Sequence, residues 1–318
     1  MNKNQTIIIS GPTAVGKTAV AVELCKKVNG SIISADSRQV YKYLDIGTNK
    51  EGIIKDDIRQ IEGVKQYLTD IITPDQKYTA KNFEIDAQKC EGIILKENKV
   101  PIIVGGTGLY IKSFLYGLDD LPDANDNIRK EIENIVLEKG LDYVYDLLLK
   151  ADPVSAIKNK GNTQRIIRAY EIYKITGKSM TQLLKESKKQ EKKKNFKHFV
   201  LLKDREILYK KINERCKKMI DSGMLEETKK VLDMGYKQNC YGLTGVGYKH
   251  IVKFFNKEMS KQELIEKFSQ DTRQYAKRQI TWFTKQPDIQ IINITDNTDI
   301  GDIINKIISL LLFLFTFL

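Results

Sequence analysis

The chain has 318 residues, 41% hydrophobic and 30% charged, with a formal net charge of +12. That length buries at least one sizeable core and allows two lobes, and the composition is that of an ordinary globular protein. The four cysteines (Cys25, Cys90, Cys216, Cys240) form no CxxC pair, and His198 and His250 do not group with them. This excludes a zinc finger and argues against a disulfide framework, leaving free thiols in a reducing cytoplasm as the expectation. The positive balance fits either a lysine-rich surface or a polyanionic partner such as RNA.

The amino terminus leads straight into an apolar run with no signal-peptide pattern, which also points to the cytoplasm. Residues 5–10 read as a buried strand and 17–28 as a helix. "GSIISAD" at 30–36 is a second apolar strand, ending in a carboxylate. Residues 78–98 form an amphipathic helix, and "VPIIVGGTG" at 100–108 is a third buried strand that breaks into glycines. Apolar strands alternating with helices predict an α/β fold with a parallel sheet and crossover helices. From 126 to 187 the pattern is helical. The lysine-dense 185–198 reads as a solvated loop, 199–202 as a strand returning to the sheet, 205–234 and 260–285 as long helices, and 289–293 as a late strand. Residues 307–318 carry no charged side chain, yet a spanning helix needs roughly 20 apolar residues. Packing on the core is therefore favoured over membrane adherence or assembly, and no stable membrane insertion is expected.

"GPTAVGKT" at 11–18 matches GxxxxGK[ST] in full between a strand and a helix. Such a loop turns backbone N–H groups inward around phosphate oxygens at a positive helix N-terminus, with Lys17 on a terminal phosphate and Thr18 available to Mg²⁺. A motor ATPase carries a second strand ending in acidic residues; here "VPIIV" ends in "GGTG". Asp36, at the end of the other strand, stands where ligands of open α/β sheets bind. The plainer alternative for Asp36 and Ser37 is a helix or turn cap.

"GPTAVGKT", "SADSRQVYKYLDIGTNK", "VGGTGLY", "QRIIRAYEIYKITGK", "INERCKKMIDSGMLEE", "GVGYKHI" and "RQYAKRQITWF" occur in this order. Together they resemble the tRNA dimethylallyltransferases, also called tRNA isopentenyltransferases, over about residues 5–295. The resemblance implies a P-loop NTPase-like α/β core, with 1–117 and 198–306 as its two parts, 118–197 as an all-helical insertion on the tRNA anticodon arm, and 307–318 as a tail outside the family pattern. It implies transfer of a dimethylallyl group from dimethylallyl diphosphate to the exocyclic amine of the adenosine 3′ of the anticodon, with Mg²⁺ as cofactor, by a monomer. Gly11, Pro12, Thr13, Ala14, Val15, Gly16, Lys17, Thr18 and Arg215 would bind the diphosphate, with Thr18 on the metal. Asp36 would be the base, Thr107 would place it, and Lys17 would stabilise the leaving group. Ser37, Arg38, Gln39, Arg129, Gln164, Arg165, Ile166, Ile167 and Arg168 would contact tRNA alongside Asp36 and Thr107. Where the family has Asn-Asp before these arginines, this chain has Gly161 and Asn162, which puts the local cap in question.

Two other readings share the loop. A small-molecule kinase needs neither the positive balance nor the "QRIIRAYE" helix, and an ATP-driven RNA factor should show the missing acidic strand end. If the loop holds a leaving diphosphate, nucleotide binding there is imitation by shape. Surface ion pairs, for example Arg168 with Glu171 at i+3, are the plain alternative to RNA contact. Tyr275 and Trp282, seven apart, are expected on one core-facing side, with Arg273, Lys277 and Arg278 unassigned.

Overall fold

The structure, a computed structural model, describes residues 5–187 and 195–312. It divides into two compact units, one of residues 1–115 with 193–318 and the other of residues 116–192.

The first unit is built on an eight-stranded sheet among the described residues: β1 (Thr6–Ser10), β2 (Gly30–Ser34), β3 (Ile53–Lys55), β4 (Ile58–Ile61), β5 (Val64–Tyr67), β6 (Val100–Gly105), β7 (Phe196–Lys203) and β8 (Ile289–Ile294). The order is β3-β4-β5-β2-β6-β1-β7-β8. Every pair from β5 to β8 is parallel; Ile8 of β1 lies opposite Ile103 of β6 and His198 of β7. Central parallel strands are covered on both faces and so read as continuous apolar runs, as "TIIIS" does. The antiparallel β3–β4–β5 meander was not foreseen. Its strands have three or four residues, and its two-residue turns, Asp56-Asp57 and Glu62-Gly63, hold both residues at positive φ, as tight hairpins require.

Helix α1 (Lys17–Val28) leaves the end of β1, α2 (Ala80–Lys96) starts at a Thr79–Asn82 capping box, and α3 (Gly108–Tyr116) follows β6. In the second unit run α4 (Asp126–Lys139), α5 (Leu141–Ala151), α6 (Pro153–Asn159), α7 (Thr163–Thr176) and α8 (Met180–Glu186), around a core that includes Ile132, Leu148 and Ile166. Asn162 caps α7 by accepting from the Arg165 N–H at 3.1 Å, so the cap survives without the family carboxylate. Buried Asp152 caps α6 and also accepts from the Thr181 N–H and hydroxyl.

Back in the first unit are α9 (Arg205–Met219), α10 (Leu225–Asp233), α11 (Val246–Phe255), α12 (Lys261–Phe283) and α13 (Ile300–Leu312). The single helix expected over 205–234 is broken: a kink within Ile220–Met224, where Gly223 takes a left-handed φ of +101°, separates α9 from α10. The tail through Leu312 is the end of α13, which buries Ile303, Ile304, Ile307 and Leu311 and packs against α1. Residues 313–318, and 188–194 of the lysine run, lie outside the described residues. Among the described residues no helix is long and apolar enough to cross a membrane, and all four cysteines are free and buried.

His198 is 2% exposed and pairs with the Ser10 hydroxyl at 2.7 Å. Burial pushes its imidazole down to about 4. Below the unfolded value near 6.5, the unfolded chain therefore takes up a proton that the folded chain refuses until about pH 4. Between pH 7 and about pH 4.5 this residue should cost about 2–3 kcal/mol of stability. Urea unfolding should show His198→Gln losing less stability than wild type across that window. Equal losses would show that the buried imidazole does not carry this dependence.

Candidate active site

The segments that follow β1 and β2 open on a cavity of about 580 Å³, all of it within the first unit, with the turn after β6 hydrogen-bonded to its wall. β1 delivers the loop 11–18. Gly11 is required there, because a Cβ would stand 2.4 Å from the Leu201 carbonyl oxygen of β7. Ala14 and Gly16 take positive φ, curling the loop into α1, whose first turn has neither a side-chain cap nor an acidic residue. Its free N–H groups and positive dipole end are thus available to an anion.

Lys17 folds back, its Nζ donating to the Gly11 and Pro12 carbonyls at 3.0 and 2.8 Å. Burial lowers its ammonium to about 8, opposed by the Asp36 carboxylate and reinforced by the Arg215 guanidinium. Arg215, on α9, donates from Nη2 to the Thr13 hydroxyl, while its buried Nε has no hydrogen-bond partner. Burial pushes this guanidinium below its ordinary value, partly opposed by Cys216 and Asp36. Thr13, Ala14, Gly16, Lys17, Thr18 and Arg215 face the cavity, whereas Pro12 and Val15 are buried.

Asp36 lines the same cavity. Its Oδ1 accepts from the Arg38 N–H at 2.8 Å, the turn cap that the plain alternative anticipated, and its Oδ2 has no hydrogen-bond partner among the described residues. Thr107 pins this turn: its Oγ1 accepts from the Ser37 N–H at 3.0 Å and its N–H donates to the Ala35 carbonyl at 3.1 Å.

Two further residues complete the site. Gln279 of α12, 6% exposed, accepts from the Thr13 N–H and donates to the Gly106 carbonyl, both at 2.9 Å, tying the phosphate loop to the turn that carries Thr107. The Thr13 N–H, expected to cradle phosphate, is thereby consumed within the protein. Tyr275 lines the cavity rather than the core; burial and the neighbouring Asp36 raise its hydroxyl to about 12. Trp282 packs over Gly108 and edge-on to Phe283. The core face of α12 is instead Leu264, Phe268, Thr272, Ala276, Gln279 and Phe283. The only sequence signal for Gln279 was its place within "RQYAKRQITWF".

Some expected RNA contacts also hold partners within the protein, although Arg38 and Gln39 both line the cavity. The Gln39 amide accepts from Ser34 Oγ and Gln66 Nε2 and donates to the Thr48 and Asn49 carbonyls. Arg38 donates to the Tyr241 carbonyl and the Thr244 hydroxyl; Ser37 remains half-buried at the cavity. In the helical unit Ile166 and Ile167 are core residues. A helix turns too fast for five successive side chains to share one surface, so only Gln164 and Arg165 of that run are exposed. Arg129 and Arg168 both donate to Glu171, at 2.7 and 2.9 Å, and Asn125 N–H adds a third bond at 2.8 Å. Burial alone would raise the Glu171 carboxyl, but these bonds outweigh it and hold it below its usual range. The ion pair weighed as the alternative for Arg168 is therefore present.

A family model described as IPP transferase matches residues 39–286. A curated tRNA dimethylallyltransferase of Endomicrobium trichonymphae is 52% identical over 297 residues, 92% of this chain and 97% of that one. Another, of Acetivibrio thermocellus, is 41% identical over 292 residues, 91% and 92% of the two chains. Among solved structures, the tRNA isopentenylpyrophosphate transferase of Bacillus halodurans matches with a TM-score of 0.70 at 33% identity, covering 97% of this chain and 95% of that one. A eukaryotic dimethylallyltransferase acting on tRNA matches with a TM-score of 0.72 at 29% identity, covering 92% and 74%. A match of this extent, over a sheet whose strand ends gather the loop, the carboxylate and the buried cations at one cavity, means that the chain belongs to the IPP transferase family.

Proposed function

We propose that this protein transfers a dimethylallyl group from dimethylallyl diphosphate to the exocyclic amine of the adenosine 3′ of the anticodon in tRNA. In this reading the first unit is a P-loop NTPase-like catalytic core and the helical unit an insertion for the anticodon arm. The observation that carries the reading is the mixed lining of one cavity. Lys17, Arg215 and the start of α1 offer charge to a diphosphate, Met219, Val246 and Phe268 offer an apolar surface to a prenyl group, and Asp36 stands between as a proton acceptor. The names of the relatives support the same class of reaction.

An adenine amine is a weak nucleophile because its lone pair is delocalised into the ring. Asp36 Oδ2 accepts its hydrogen bond, and then its proton, as the N–C bond forms at the allylic carbon. The C–O bond to diphosphate breaks with its electron pair leaving on oxygen. Lys17, Arg215 and the loop N–H groups beyond Thr13 stabilise that charge. Thr107 positions the Asp36 turn, and Gln279 fixes the loop relative to it. The products are prenylated tRNA and diphosphate, and the proton passes to solvent.

Among the described residues no cluster of three histidine, cysteine or acidic side chains could hold a metal by itself. Mg²⁺ takes few protein ligands and completes its octahedron with phosphate and water oxygens; the Thr18 hydroxyl on the cavity wall is the oxygen that fits. Bound there, Mg²⁺ would supply neutralising charge to the diphosphate. Exposed Gln164 and Arg165 are the helical unit's best-placed groups for RNA, with Arg129 and Arg168 held beside Glu171 as a basic pair. The target base must leave its stack to reach Asp36, which costs little in a single-stranded loop.

The test is to incubate the protein with dimethylallyl diphosphate, Mg²⁺ and unmodified tRNA bearing adenosine after the anticodon. A tRNA mass increase of one five-carbon group is expected. No increase, together with phosphoryl transfer from ATP to a small acceptor, would overturn the reading.

A further inference from the structure

The apolar side of the cavity ends at two residues without side chains. Gly47 and Gly247 both line it, and Met224, fully buried, does not. Yet a Cβ on Gly47 would stand 2.3 Å from Met224 Cε, and a Cβ on Gly247 would stand 2.6 Å from the same atom and 2.8 Å from Phe268 Cζ. The Met224 methyl therefore plugs the gap between the two bare backbones from behind. Met224 follows Gly223, whose left-handed φ of +101° kinks the chain between α9 and α10.

The surrounding wall is braced. Glu227 accepts from the backbone N–H groups of Asp45, Ile46 and Gly47 at 2.6, 2.7 and 3.1 Å and from the Tyr248 hydroxyl at 2.6 Å. Asp45 in turn holds Lys50 and Arg59. A loop fixed by three hydrogen bonds to one carboxylate cannot easily collapse into space vacated behind it, so a void at Met224 would open toward the cavity.

We infer that Met224, acting past Gly47 and Gly247, sets the length of prenyl chain that the cavity accepts. This rests on the activity proposed above. The five-carbon group ends at the bare backbones of Gly47 and Gly247, and a ten-carbon chain meets the Met224 methyl behind them. Shortening this side chain lengthens the apolar channel without touching Asp36, Lys17 or Arg215. Exclusion of a longer apolar chain by packing is worth about 10–200-fold for one methylene-sized step.

The experiment supplies wild type and Met224→Ala with an equimolar mixture of dimethylallyl and geranyl diphosphate, Mg²⁺ and unmodified tRNA, and separates the two products by mass. Wild type should yield the five-carbon product almost alone, and the variant should raise the ten-to-five-carbon ratio by about tenfold or more. Thermal melting reports whether the variant is folded, and Met224→Val repeats the test with a smaller cavity. A folded variant with the wild-type ratio overturns the inference while leaving the activity standing. A wild-type protein that transfers neither group overturns the activity, and the inference with it.

Discussion

Asp36→Asn should lower kcat by about 10²–10⁴-fold, the usual contribution of a positioned general base, with tRNA binding retained. Asp36 holds two jobs in one side chain. Oδ1 caps the turn through the Arg38 N–H, and Oδ2 is the proposed proton acceptor. Asparagine keeps an oxygen for the cap and loses the basic carboxylate, so the substitution separates the two. Alanine removes both, and comparing the variants shows how much of any loss is turn geometry. Single-turnover transfer alongside filter binding of tRNA is the measurement. Near-normal turnover in Asp36→Asn would reduce Asp36 to a cap.

Lys17→Ala should weaken diphosphate binding by about 1.5–3 kcal/mol, the worth of a hydrogen bond to a charged group. The pH dependence is more diagnostic. Burial and Arg215 hold the Lys17 ammonium near 8 in the free protein, and a bound diphosphate favours its charged form. Below about pH 8 Lys17 is already protonated and affinity should be flat with respect to this group. Above it, binding must bring a proton with it, and affinity should fall by up to about tenfold per pH unit. Titration calorimetry with inorganic diphosphate from pH 7 to about pH 9.5 should show this fall in wild type and its absence in Lys17→Ala. The same slope in both would assign the dependence to another group. The Lys17 contacts with Gly11 and Pro12 carbonyls must be exchanged for phosphate, so the alanine variant also measures how far the loop is organised by its own lysine.

The helical unit shows how a motif can be legible and its surface not. "QRIIRAYE" announced a helix and two arginines on one side, which α7 has. Its charge balance depends on Glu171, which is fully buried and takes hydrogen bonds from Arg168 and from Arg129, 42 residues away in sequence. No local pattern specifies that Arg129 crosses to the same carboxylate. Ile166 and Ile167 looked like members of a contacting run and are core, because the 3.6-residue turn gives adjacent positions different faces. The kink at 220–224 was likewise hidden: its glycine was visible, but a lone glycine within a helical pattern does not distinguish a cost from a break.

What the sequence determined alone was whatever depends on neighbours along the chain. That covers the apolar runs of β1, β2 and β6, the glycine positions that bend the loop into α1, and the carboxylate ending β2; each follows from periodicity, φ requirements or a local motif. What only the tertiary structure decided was which groups remain free to act. Gln279 arrives from 266 residues beyond Thr13 to take its N–H, Tyr275 turns to the cavity instead of the core, Gln39 turns inward, and Met224 lodges behind two glycines. These outcomes are set by hydrogen-bond satisfaction and close packing between segments distant in sequence, and a buried donor or a filled gap has its partner chosen by the fold rather than by the residues beside it.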